Sequence, residues 1–182
     1  YRSNKEKISF LFIRRFNVIA IMIYKVGHGV DIHKLVPGIS LILGGVHIPS
    51  ELGLEGHSDG DAVIHALVDS ILGALSLGDI GTFFPSEDNR YKNANSAIFL
   101  KYANEKLKEK NFKISNIDIN IILQSPKINK YVNAMKKEIA NILDIDFNII
   151  SIKGKTADKL GFIGSNKGIM TTASILIYTN ES

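Results

Sequence analysis

Tyr24-Lys25-Val26-Gly27-His28-Gly29-Val30-Asp31-Ile32-His33 reads as a strand, and Asp61-Ala62-Val63-Ile64-His65 opens the long helix that follows it. Residues two apart on a strand point to one face, so Asp31 and His33 are presented together. Asp59 or Asp61 can cap the helix, which runs to about Leu77, where Gly78 stops it. Val63, Ile64, Leu67, Ile71, Leu72 and Leu75 make it apolar on most faces, which predicts a helix buried at the centre of the fold. Asp61 and Asp69 flank His65 along this helix, and either can join a polar network around it.

Outward from this pair, Leu41 to Ile48 reads as a strand after the Pro37-Gly38 turn. Gly78 to Asn95 is a loop, and Ser96 opens an amphipathic helix ending near Asn111. Ile117, Ile119 and Ile121 alternate with Asp118 and Asn120 as a strand does. A helix is expected over about Asn129 to Leu143, then strands at Asn148 to Lys153 and Ile169 to Tyr178. The expected fold is a single mixed α/β (α+β) domain over residues 24–180, with about four strands in a mixed sheet and about three helices.

The 182 residues suffice for one domain with a real core, and 45% hydrophobic against 22% charged residues describes a globular chain. The longest apolar run, Phe16 to Tyr24, is about half of the roughly 20 residues a membrane span needs. The net charge of +4 is local: residues 1–25 hold six cations against Glu6, leaving residues 26–182 one charge negative. That distribution argues against a nucleic acid partner for the folded body. The basic, acid-poor segment 1–23 reads as the remnant of a targeting leader, the alternative being an ordinary extension.

Asp31, His33 and His65 form a mixed nitrogen and oxygen set suited to one divalent ion. Taken singly, each histidine reads as structural or solvated; the D-x-H pair together with a helical His is what suggests ligation. Three protein ligands with a position left open is the arrangement of catalytic zinc, and the chain has no cysteine for a closed thiolate site. Manganese or iron also suits such ligands.

Two loops look equipped for phosphate. Gly154-Lys155-Thr156-Ala157-Asp158-Lys159-Leu160-Gly161-Phe162 offers amides, a hydroxyl, cations and a carboxylate for a second, harder ion. Gln124-Ser125-Pro126-Lys127 repeats this on a smaller scale, and neither has Walker A spacing. Each alone is also compatible with a plain turn. Beside a metal site they suggest phosphoryl chemistry.

Gly27 to His33, His57-Ser58-Asp59-Gly60-Asp61, Leu77-Gly78-Asp79-Ile80-Gly81 with Phe84-Pro85, and Thr156 to Phe162 occur in order across Tyr24 to Tyr178. Together they resemble the 2-C-methyl-D-erythritol 2,4-cyclodiphosphate synthases. The resemblance implies a homotrimer around a sheet-lined core, with active sites between subunits. It implies the conversion of 4-diphosphocytidyl-2-C-methyl-D-erythritol 2-phosphate to the cyclic diphosphate plus CMP, a lyase step of non-mevalonate isoprenoid synthesis. By position, Asp31, His33 and His65 would hold one Zn2+ per subunit, and Asp158 a second ion, Mg2+ or Mn2+. His57 and Thr156 would be catalytic. Ser58, Asp79, Ile80, Gly81, Phe84, Pro85, Ser86, Glu87, Asp88 and Phe162 would bind the erythritol portion. Leu123, Gln124, Ser125, Pro126, Lys127, Ile128, Asn129, Gly154 and Lys155 would bind the cytidine nucleotide. With the basic leader, the pathway implies a plastid-type organelle, or a bacterial-type cytoplasm without it.

Three positions depart from the family pattern: Asp158 replaces a usual Glu, Ser165 an Arg common in bacterial members, and Val30 a frequent aromatic. The last two remove groups that hold isoprenoid diphosphates on the trimer axis in some members. Two other readings share the residues: a zinc phosphohydrolase with His57 as base, and a metal-stabilised binding or scaffold protein without turnover.

Overall fold

The computed structural model describes residues 21–181. The expected leader lies outside them, except that Ile21, Met22 and Ile23 begin strand β1 (Ile21–Pro37). This strand runs antiparallel along β7 (Gly168–Glu181), with Asp31 opposite Thr171 and His33 opposite Ile169. The sheet is completed by β4 (Leu52–Glu55), β5 (Lys113–Ile122) and β6 (Ile150–Lys155), in the order β4-β1-β7-β5-β6. Only β5 and β6 are parallel.

The class is the expected one, with differences in detail. Leu41 to Ile48 is not one strand: Gly44 and Gly45, both at positive φ, fold it into a separate hairpin of β2 (Leu41–Leu43) and β3 (Val46–Ile48). The additional sheet strand β4 is four residues long and contains Gly53, so it has no alternation to betray it. The helix expected from Asn129 starts as a 3-10 turn, and its α-helical part is α4 (Val132–Leu143).

The central helix α1 (Ala62–Ala74) buries ten of its 13 residues, as its all-round apolar sequence requires. Each fully buried Leu, Ile or Val there contributes roughly 1.5–3 kcal/mol. It ends earlier than expected, through Ser76 at φ 57° rather than at Gly78. Asp61, not Asp59, is the cap: its carboxylate accepts the amides of Val63 and Ile64, and also those of Gly44 (2.8 Å) and Gly45 (2.6 Å). One buried side chain thus starts α1 and pins the hairpin to it. Burial pushes the Asp61 carboxyl up, against the pull of these amides.

α1 lies directly on β1. A Cβ at Gly27 would meet the Ser70 carbonyl oxygen at 1.8 Å, so only glycine permits this approach. Helices α3 (Ala97–Glu109) and α4 complete the layer on the same side. The opposite sheet face is bare along β1, where Met22, Tyr24, Val26, Val30 and Ile32 are 42–72% exposed. No helix of the described residues is long and apolar enough to cross a membrane.

Candidate active site

Asp31 and His33 leave β1 on the face that α1 covers, and His65 meets them from the first turns of α1. The ligand atoms of all three lie within 4.8 Å of one another. His33 Nε2 is 2.9 Å from Asp31 Oδ2, and His65 Nδ1 is 3.3 Å from both Asp31 Oδ2 and His33 Nε2. The expected metal set is therefore brought together in space.

The hydrogen-bond directions explain why these atoms want a cation. His33 Nδ1 donates to the Glu55 carbonyl at 2.8 Å, which leaves Nε2 bare in the neutral ring. Asp31 Oδ2 is buried without a properly directed donor. Bare acceptors this close repel unless a proton or a metal ion sits between them. In the metal-free chain the proton serves. Burial opposes ionisation of Asp31, but the hydrogen bond and charge of the His33 imidazolium outweigh it and hold the carboxyl well below the usual range. Burial likewise works against a charged His33, and Asp31 overcomes it and raises the pKa of that ring. Two imidazoles and a carboxylate fit zinc.

A cleft of about 250 Å³ opens beside this cluster, lined by His33, His57, Ser58, His65, Ile80, Gly81, Phe84, Ser86, Tyr91 and Phe99. Its aromatic wall is closely packed, with Phe84 and Phe99 tilted against each other at 4.5 Å between centroids and Tyr91 edge-on to Phe84 at 5.0 Å. The loop beneath is held by Asp69, which accepts the Ile80 amide at 2.7 Å at the start of α2 (Ile80–Phe83).

A second cleft, about 180 Å³, sits at the adjoining ends of the parallel strands β5 and β6, a usual place for ligands in such sheets. Leu123, Gln124, Pro126, Lys127, Ile128, Asn129, Gly154, Lys155 and Thr156 line it. Gln124 Oε1 accepts the Lys159 amide at 3.2 Å and joins the two loops that frame it. Asp158 and Lys159 both adopt positive φ, 48° and 66°, a costly conformation for such residues. The two clefts share no lining residue. A larger cleft, about 660 Å³, is elsewhere, at the far end of β7 around Phe112, Leu143 and Tyr178. None of the expected site residues lines it.

Residues 24–178 match the YgbB family. The chain belongs to that family. The 2-C-methyl-D-erythritol 2,4-cyclodiphosphate synthase of Clostridium acetobutylicum is 50% identical over 153 residues, 84% of this chain and 99% of that protein. The synthase of Fusobacterium nucleatum is 47% identical over 153 residues, 84% of this chain and 96% of its own length. The solved structure of the Plasmodium falciparum IspF CDP complex superposes with a TM-score of 0.77 at 45% identity, over 87% of this chain and 97% of that one. The resemblance read from the sequence is borne out, and the chain is an enzyme of the YgbB family.

Within this YgbB-family fold, the expected site residues divide between the clefts. Asp79, Pro85, Glu87 and Asp88 lie on the loop of the first cleft without lining it. Asp79 caps α2 through the Thr82 amide and hydroxyl, each at 2.9 Å, and Asp88 grips the Arg90 guanidinium. Thr156 donates its hydroxyl to Asp158 at 3.0 Å. Ser125, Asp158 and Phe162 line neither cleft, and Phe162 is 47% exposed. The expectation that Asp61 or Asp69 supports His65 is corrected, since their carboxylates serve the hairpin and the Ile80 loop. Ser58 and Ser96 are the groups beside that ring, at 3.1 and 3.0 Å from Nε2. Tyr91, Phe99 and Ser96 went unmarked as site residues because their positions in a loop and a helix start carry no local signal. The i, i+3 spacing of Ser96 and Phe99 on one helix is the only hint.

Proposed function

We propose that this chain catalyses intramolecular phosphoryl transfer in 4-diphosphocytidyl-2-C-methyl-D-erythritol 2-phosphate. An oxygen of the 2-phosphate bonds to the β-phosphorus, the bond from that phosphorus to the bridging oxygen breaks, and CMP leaves with the oxygen. The product is 2-C-methyl-D-erythritol 2,4-cyclodiphosphate, and the step is a lyase reaction of non-mevalonate isoprenoid synthesis. The observation that carries the reading is the convergence of Asp31, His33 and His65 on one point beside a cleft that also contains His57 and Ser58.

Asp31, His33 and His65 would hold Zn2+, which when bound would polarise the diphosphate. His57 would stabilise the developing charge at the transferring phosphoryl group, and Ser58 would hold the erythritol phosphate. Ile80, Gly81, Phe84 and Ser86 would enclose the erythritol carbons. Lys127, Lys155 and the loop amides would take the nucleotide phosphates, with Thr156 at the α-phosphate. Asp158 would hold a second ion, Mg2+ or Mn2+. Holding two phosphates of one flexible molecule in line turns an improbable ring closure into a frequent one.

The separation of the clefts supports a homotrimer in which each site takes one cleft from each of two subunits. The bare apolar face of β1 supports the same arrangement, because an exposed patch of that kind is usually an interface. A plastid-type destination rests on the composition of residues 1–23 and on the pathway, and the two bacterial relatives lend it nothing; a reporter fused to that segment together with any sequence preceding it that stays in the cytosol would end it.

Turnover in oxygen-18 water tests the reaction. Cyclisation leaves both products free of label, since the attacking oxygen comes from the substrate. Label in an opened diphosphate would support metal-assisted hydrolysis and remove the proposal.

A further inference from the structure

The imidazole of His65 has a second nitrogen, and the groups behind it form a directed chain. Ser96 is fully buried and stands at the N-cap position of α3, yet its side chain caps nothing. Asn95 does that work, accepting the Ala97 amide at 2.8 Å. The Ser96 hydroxyl is thereby free to lie 3.0 Å from His65 Nε2 on one side and to donate to Asp59 Oδ1 on the other. Asp59 also accepts the Ser96 amide at 3.0 Å and the Asp61 amide at 3.2 Å. Three donors converge on this side chain, two on Oδ1 and one on Oδ2, so it serves throughout as the acceptor.

The proton order follows. Asp59 accepts from each of these neighbours, so the Ser96 hydroxyl points its hydrogen at Asp59. Its oxygen is then an acceptor toward His65; the Ser58 hydroxyl, 3.1 Å from the same nitrogen, can turn its hydrogen to Ser96 Oγ at 3.4 Å and accept as well, which places the ring proton on Nε2. Nδ1 is left bare, and Nδ1 is the atom that faces Asp31 and His33.

We propose that Asp59 is a positioning residue for the metal site, acting through the Ser96 hydroxyl to fix the tautomer and orientation in which His65 Nδ1 is a ligand. Carboxylates that orient metal-bound histidines commonly touch the ring; here a serine hydroxyl carries the effect across the gap. Asp59 lies between Ser58, which faces the cleft, and the cap Asp61, so one short segment serves cleft, metal and fold.

The inference rests on the zinc reading above, and its test is separable from turnover. Long-range proton–nitrogen NMR of the metal-free chain should show His65 as the Nε2–H tautomer, and Asp59→Ala should convert it to a mixture or to Nδ1–H. Zinc affinity, by competition with a chromophoric chelator, should fall roughly 10–100-fold in Asp59→Ala and in Ser96→Ala. The double variant should be no weaker than the worse single one, and Ser96→Thr should stay near the parent. An Nδ1–H tautomer in the parent chain would overturn the proposal, and that reading needs no variant to fold. Multiplying losses in the double variant would overturn it too, because separate structural effects add in free energy. Absence of zinc binding by the parent with the Nε2–H tautomer intact would defeat the zinc reading and leave the positioning chain standing.

Discussion

Gly29 of β1 and Ala66 of α1 are in backbone contact: a Cβ on Gly29 would lie 2.0 Å from the Ala66 carbonyl oxygen. Ala66 follows His65, and Gly29 precedes Asp31 by two positions on the same strand face. The glycine therefore sets the distance across which the metal ligands meet. Gly29→Ala should push α1 outward, cost about 1–3 kcal/mol or more in denaturant unfolding, and reduce bound zinc. Unchanged zinc content would show that the helix position does not govern the site.

Removing a ligand is a sharper cut. His33→Ala, His65→Ala and Asp31→Ala should each weaken zinc by more than ~100-fold, beyond the loss expected for a supporting partner. Metal analysis of the purified variants would read this directly, with thermal melts as the control for folding.

Proton and metal compete for His33. Its pKa is raised above the ordinary 6.5 and that of Asp31 is lowered below 3.8. In the metal-free chain the Asp31 contribution to stability is present above pH 3.8 and lost as pH falls through the depressed folded value. The His33 contribution is present below pH 6.5 and lost as pH rises through the raised folded value. The metal-free chain should thus gain most from the pair between these limits. Zinc affinity should instead fall on acidification below the His33 pKa, about tenfold per pH unit for one displaced proton. Chelator competition across that range checks this, and a flat profile would show that zinc displaces no proton from these imidazoles.

Asp61 is the joint between helix and hairpin. Asp61→Ala strips the cap of α1 and leaves the Gly44 and Gly45 amides without their acceptor, so a loss of about 2–4 kcal/mol is expected. Chemical denaturation measures it.

If each site takes one cleft from each of two subunits, two dead variants can restore one another. His57→Ala and Thr156→Ala, each inactive alone, should on subunit mixing recover about a quarter of the parent activity, the share of sites that draw both halves intact. No recovery from verified mixed trimers would place both clefts of a site in one subunit.

Much of this was legible in the sequence because it is periodic or local. The i, i+2 spacing of Asp31 and His33 fixes a shared strand face, and the apolar run from Val63 to Leu75 declares a buried helix. The parallel pairing of β5 with β6, which brings Gln124 and Thr156 to one cleft, had no such signature, nor did the hairpin break at Gly44-Gly45 within an otherwise strand-like run. The chain from Asp59 to Ser96 to His65 was equally hidden. Ser96 is 37 positions from Asp59 and 31 from His65, and it meets them only through the packing of α3 on α1. Asp61 and Asp69 sit one helical turn from His65 and looked like its partners, but backbone amides of neighbouring loops claim them first.

The most direct measurement is a phosphorus NMR time course on the cytidine diphospho-erythritol phosphate substrate, with zinc-loaded protein and with the chelated form. Two mutually coupled cyclic diphosphate resonances should grow in step with CMP only when metal is present. A ring-opened diphosphate, or substrate unchanged in the presence of zinc-loaded protein, would contradict the proposed reaction.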